Sequence, residues 1–237
     1  LIGIFMATAQ KSSTNGNESD GFCYDTSEAV EYLSSVDPTL ARLIARAGPF
    51  KMQIRRLHNP FDELARNIVF QQLHGNAAAA IHGRVLALFG KKRLRPQDML
   101  EASEESLRGA GLSGAKLAAL KDLAAKTLDG TVPTLARLRR MEDEEIIERL
   151  VAVRGIGRWT VEMLLMFRLG RPDVLPVGDF AVRKGFSLGY GLKELPKPKE
   201  LVHYGERWRP YRSVASWYMW RVNELPPETL REISLQS

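Results

Sequence analysis

The stretch VAVRGIGRWTVEM, residues 151–163, restricts the fold more than any other part of the chain. Apolar, helix-like runs flank Gly155 and Gly157, so one helix has to end, turn and restart within about four residues. Such a turn needs positive φ or close backbone approach, and glycine permits both. The first helix is expected to end near Val153. Arg154–Gly157 then turns, with Ile156 as an apolar pin, and the second helix begins near Arg158. The first N–H groups of that helix lack intrahelical partners and carry the positive end of its dipole. Beside bare glycines they leave room for a phosphate, with Arg158 and Thr160 as added side-chain donors. An ordinary αα-hairpin carries the same glycines, so the turn alone leaves both readings open.

The rest of the chain repeats helical periodicity and cap signals, which predicts an all-α protein of roughly ten helices. Thr26 or Ser27 is expected to cap the first helix, and Asp37-Pro38 and Asn59-Pro60 to open the next two. His74-Gly75-Asn76 breaks the run FDELARNIVFQQL, and Gly90 and Gly130 end later helices. Glu142–Glu145 places acid in the first turn of EEIIERLVAV, which suits the helix dipole. Pro172, Pro176 and Gly178 mark a loop, Asp179 starts DFAVRKGFSL, and Pro210 sits in the first turn of YRSVASWYMWRVNEL. Polar residues 6–24 read as part of a mobile arm over 1–24.

A formal net charge of +6 and a pI near 9.5 favour acidic partners, nucleic acid first, although a solvated basic surface has the same charge. Cys23 is the only cysteine, which excludes an internal disulfide, a cysteine-built zinc site and a four-cysteine iron–sulfur cluster. No apolar run spans a bilayer, and LIGIF at 1–5 is too short for a signal-peptide core. The first methionine is Met6, so residues 1–5 read as upstream readthrough or a cloning remnant. The expectation is an intracellular protein, in the cytoplasm or nucleoid of a bacterium or the nucleus of a eukaryote.

Five segments together point further. VRGIGRWTVEM resembles the hairpin of the helix-hairpin-helix DNA glycosylases, whose usual form is L-P-G-[IV]-G-x-x-[TS]-A. FRLGRPDVLPVGDFAVRKGF (167–186) resembles their Gly/Pro-rich loop that delivers an aspartate. NIVFQQLHGNAAAAIHGRV (67–85), LRGAGLSGAKLAALKDLA (107–124) and RWRPYRSVASWYMWR (207–221) resemble three further elements, in the family's order. The branch most resembled is 3-methyladenine DNA glycosylase II, which removes alkylated bases. The match covers about residues 60–221. The N-terminal β domain that some relatives carry is therefore expected to be missing.

The resemblance implies two helical lobes with a cleft between them. One would be a hairpin lobe over 59–171. The other would combine 25–58 with 172–237 and carry the catalytic aspartate. It implies a monofunctional enzyme that flips an alkylated base out of double-stranded DNA, hydrolyses its N-glycosidic bond and leaves an abasic site. Asp179 is the implied catalytic residue, and an N-cap role is compatible with it. Trp159 stands where strand-cutting relatives carry a Schiff-base lysine, so water is the implied nucleophile. Trp159 and Trp220 are the implied pocket walls, with Met163, Leu73 and His74 beside them, and Trp208 and Trp217 are read as core. Gln72 and the hairpin residues Gly155, Ile156, Gly157, Arg158 and Thr160 are the implied DNA contacts. Leu73 or a neighbour would fill the gap left by the flipped base. Tyr211, Arg212 and Ser213 would brace the site. No cofactor is implied beyond a structural Na+ or K+ on the backbone carbonyls of Val151, Val153 and Ile156. The expected partner is double-stranded DNA, met by a monomer with no membrane involved. Arg154 departs from the family's proline and Val161 from its alanine. A non-catalytic helix-hairpin-helix DNA-binding module, or a glycosylase for uracil, hypoxanthine or ethenoadenine, is the alternative.

Overall fold

The computed structural model describes residues 21–90 and 93–235. Fourteen α-helices and one 3-10 turn, Glu206–Trp208, lie within them, with no β-strand among the described residues. The all-α expectation holds. The helices beyond the expected ten include Pro227–Leu235 and also Pro96–Glu101 and Leu135–Leu138, which at six and four residues are too short to show a full amphipathic repeat. No helix among the described residues is long and apolar enough to cross a membrane.

The described residues divide into two compact units, 56–161 and 21–55 with 162–235. The second division falls inside helix Arg158–Arg168, between Val161 and Glu162, whereas the family resemblance implied a boundary after residue 171. Proline and glycine mark where the backbone is irregular; the unit a residue joins depends on what its side chain packs against.

In the first unit, helix Pro60–Phe70 starts on an Asn59 cap whose side chain accepts the Phe61 and Asp62 N–H groups. It buries Phe61, Leu64, Ala65, Ile68 and Val69 and packs against helix Gly114–Leu128, which contributes Leu117, Leu120 and Leu123. The Lys116 ammonium donates to the Val69 carbonyl at 2.6 Å, satisfying one of the open carbonyls at the helix C-terminus. Helix Asp143–Val151 turns Ile146, Ile147 and Leu150 inward and keeps its acidic first turn.

In the second unit, Asp25, not Thr26 or Ser27, caps helix Thr26–Val36. Asp37 starts helix Pro38–Ala47 and is 1% exposed. One of its oxygens accepts the Thr39 and Leu40 N–H groups, and the other accepts the Tyr190 hydroxyl at 2.8 Å and the Trp208 indole N–H at 2.9 Å. Four donors offset the cost of burying the charge. Helix Arg212–Val222 is buried along nearly its whole length and lies against helix Phe180–Gly189. Pro210 precedes Tyr211, the N-cap residue, so it lies outside the helix it was expected to open.

Residues 1–20 of the expected arm lie outside the described residues. Residues 21–24 are packed rather than mobile. Phe22 meets Tyr24 and Phe50 at ring distances of 5.3 and 5.8 Å, and the Cys23 thiol donates to the Gly170 carbonyl at 3.1 Å. Two aromatic rings directly after the polar run gain enough from burial to hold this stretch down.

Candidate functional site

In the first unit the turn forms as expected. Val153 and Ile156 are buried at 1% and 4% exposure, and the Ile156 N–H closes on the Val153 carbonyl at 3.1 Å. Gly155 has φ +79°, which side chains rarely adopt. Gly157 is different. Its φ is not in the left-handed region, and a Cβ there would meet nothing within 4 Å. The turn demands glycine at 155, but nothing in the chain demands it at 157, where its absence of a side chain leaves an open approach to the helix start. Arg154, Gly155, Gly157 and Arg158 are all exposed.

Two expected donors differ. Thr160 is 8% exposed, which turns its side chain inward rather than toward an outside ligand, and its N–H is bound to the Gly157 carbonyl at 2.9 Å. The Arg158 guanidinium makes two bonds to Glu144, at 2.7 and 2.8 Å, and holds that carboxyl below its usual range. Glu144 lies 14 residues away, and nothing local foretold the pair.

The corner after helix Pro60–Phe70 protrudes. Gln72 is exposed with φ +57°, a left-handed backbone on a residue other than glycine, which costs about 1 kcal/mol or more. Leu73 is half-buried and His74 is exposed, without a side-chain cap bond at the start of helix Gly75–Leu88. The Gln71 side-chain amide donates to the Gly155 carbonyl at 2.9 Å, so corner and hairpin are tied together. Trp159 is half-buried at the start of its helix.

In the second unit, Asp179 caps helix Phe180–Gly189 and is 6% exposed. Its Oδ1 accepts the Val182 N–H at 2.9 Å and the Trp220 indole N–H at 3.2 Å. The loop before it is stitched to helix Arg212–Val222. Ser213 donates its hydroxyl to the Arg171 carbonyl at 2.7 Å, accepts the Val174 N–H at 3.0 Å and donates its own N–H to the Pro172 carbonyl at 2.8 Å. Arg212 holds Asp173 through its side chain, with Nε on Oδ1 at 2.6 Å, and Tyr211 donates to Glu28 at 3.2 Å. Ser213→Ala leaves the Val174 N–H and the Arg171 carbonyl without this partner, so a loss of about 1–3 kcal/mol is expected in urea unfolding.

The remaining pocket candidates are more buried than expected. Met163 is 0% exposed and therefore presents no surface to a ligand; it is core. Trp220 is 4% exposed, stacked on Phe167 at 5.7 Å, with its N–H on Asp179. Little of the ring is exposed, and its N–H holds the Asp179 carboxylate. Trp208 and Trp217, at 0% and 5%, are core as expected. Among the described residues, no group of three or more His, Cys, Asp or Glu side chains is placed to hold a metal ion.

A family model described as HhH-GPD superfamily base excision DNA repair protein matches residues 65–210. The chain is 35% identical over 204 residues to DNA-3-methyladenine glycosylase 1 of Schizosaccharomyces pombe, covering 85% of this chain and 90% of that protein. Among solved structures, it resembles the Schizosaccharomyces pombe 3-methyladenine DNA glycosylase in complex with abasic DNA, with 35% identity, a TM-score of 0.71, and coverage of 84% of this chain and 98% of that one. It also resembles the DNA-3-methyladenine glycosidase of Bacillus halodurans, with 38% identity, a TM-score of 0.75, and coverage of 83% and 89%.

Proposed function

The chain belongs to the HhH-GPD superfamily of base excision DNA repair proteins, and from that premise we propose that it is a monofunctional glycosylase for alkylated bases of the 3-methyladenine type. It flips the base out of double-stranded DNA, hydrolyses the N-glycosidic bond and leaves an abasic site. The observation that carries this reading is the Asp179 carboxylate, buried at a helix start with one oxygen held by two donors.

Cleavage breaks the bond between C1′ and the base nitrogen, and the electron pair leaves with the base. Positive charge builds on the sugar, as in glycoside hydrolysis. A fixed carboxylate stabilises that charge and takes a proton as the water oxygen bonds to C1′. A base such as 3-methyladenine is already cationic, so it departs without a general acid. Trp159 cannot form a Schiff base, which leaves water as the nucleophile, and its π face stacks on a cationic base.

The hairpin grips a DNA phosphate on the N–H groups of Gly155, Gly157 and Arg158, with the bare face of Gly157 as the approach and the Ile156 N–H kept inside the turn by the Val153 carbonyl. Arg158 joins them by leaving Glu144; a pair in which both side chains are more than half exposed is worth at most about 1 kcal/mol, so the exchange is easy. Gln72, Leu73 and His74 enter the minor groove, with Leu73 in the gap. The strained Gln72 backbone supports this reading, because such strain gathers at functional corners. The carbonyls of Val151, Val153 and Ile156 are the proposed ligands of a structural Na+ or K+. That of Val153 already accepts one N–H and has a second lone pair.

The test is release of free base by the purified chain from duplexes carrying 3-methyladenine, hypoxanthine, ethenoadenine or uracil. Release from 3-methyladenine DNA is expected. Binding with no release from any duplex would instead identify a non-catalytic binding module. Trp220→Phe keeps the ring but removes the N–H on Asp179, so the single-turnover rate is expected to fall about tenfold while DNA affinity stays near wild type.

A further inference from the structure

Behind the hairpin, helix Gly114–Leu128 presents Ala119, Asp122 and Lys126, spaced three and four residues apart and therefore on one stripe. A Cβ on Gly155 would sit 3.4 Å from that of Ala119. The Arg154 N–H donates to Asp122 Oδ2 at 2.7 Å. Lys126 Nζ donates to both Asp122 oxygens, at 2.9 and 2.7 Å, and to the Ala152 carbonyl at 2.7 Å. The ring closes through Ala152–Val153–Arg154, with an ammonium on the carbonyl at one end and a carboxylate on the N–H at the other. Val153 between them is buried. Both ionic side chains are less than one-third exposed, which screens the pair less than an open surface pair. Burial pushes the Asp122 carboxyl up, but the Arg154 N–H and Lys126 outweigh it and hold it below the usual carboxylate range.

We infer that the Asp122–Lys126 pair is an ionic brace that pre-forms the hairpin for an anion, so that both are positioning residues for phosphate binding without touching DNA. This rests on the DNA-binding reading of the hairpin. Ordering a loose turn on contact costs about 1 kcal/mol or more per residue, and a turn ordered beforehand avoids that cost on binding. The sign of the effect separates the brace from simple charge. A carboxylate near a polyanion site repels it, so its removal would tighten binding if charge alone mattered. The brace requires the opposite.

The probe is a duplex carrying a tetrahydrofuran abasic analogue, titrated with the full chain over a salt series. Asp122→Ala is expected to weaken binding about tenfold, as for a lost bond to a charged group, despite deleting a negative charge. Asp122→Asn is expected to lose less, because its amide oxygen still accepts the Arg154 N–H, and Lys126→Arg to stay near wild type. The saturating single-turnover rate of base release should hold within about twofold. Amide exchange at residues 153–157 should speed up in Asp122→Ala without DNA. Equal or tighter binding by Asp122→Ala overturns the inference, as does unchanged exchange. A salt slope smaller by about one in Lys126→Met would make Lys126 a direct phosphate contact and also overturn it. If the wild-type chain binds no duplex, the DNA-binding reading fails instead, and the exchange measurement still decides whether the brace orders the turn. If Asp122→Ala does not fold, the exchange rates of Asp122→Asn take its place with the same signs.

Discussion

Asp179→Asn is expected to lower the rate of base release at least about a thousandfold, or about 4 kcal/mol of barrier, while leaving DNA affinity near wild type. The substitution is nearly isosteric. Its amide oxygen still accepts the Val182 N–H and the Trp220 indole N–H, so the helix start and the loop before it keep their shape. What disappears is the negative charge opposite a developing sugar cation, together with the acceptor for the water proton. Single-turnover excision from 3-methyladenine duplex, paired with a titration on abasic-analogue DNA, separates the two effects. Release at the wild-type rate would remove Asp179 from the mechanism, and a parallel loss of binding would make it structural.

Gly185→Ala should be the most damaging small substitution in the second unit, with a loss of about 3 kcal/mol. Helix propensity alone predicts the reverse, because alanine is favoured over glycine inside a helix by about 1 kcal/mol. Packing decides the sign. A Cβ at Gly185 would overlap the Met219 carbonyl oxygen and lie 2.7 Å from its carbon and 2.9 Å from the Asn223 side-chain nitrogen. The first two are backbone, which cannot rotate away. This close approach also sets the site, because Asp179 caps one helix of the pair and Trp220 belongs to the other. Forcing the helices apart stretches the 3.2 Å bond between them, so base release by the folded fraction should fall too. The melting temperature is expected to drop by about 6–12 °C. A variant as stable as wild type would show that the helices can separate at little cost.

Much of this was legible along the chain because the signals are local. Proline and Asx caps opened helices where expected at Asn59-Pro60 and Asp37-Pro38, since a cap acts within three residues of itself. The positive φ at Gly155 and the buried Ile156 follow from the few residues around them. Asp179 as a helix cap also needed only its neighbours. Ser213 and Arg212 were readable as braces, because such groups need partners when covered, but not which loop carbonyls and carboxylate they would meet.

By itself, then, the sequence determined the helices, the turn and the identity of the residues gathered around it, because backbone preference and capping reach only a few positions. Tertiary structure alone decided what those residues do to one another. It put the Trp220 N–H on Asp179 from 41 residues away, paired Arg158 with Glu144, buried Met163, and set Asp122 behind Arg154 across 32 residues. Those contacts depend on how closely helices can approach, and that is settled by side-chain volume on both partners at once, as the bare backbone of Gly185 against Met219 illustrates.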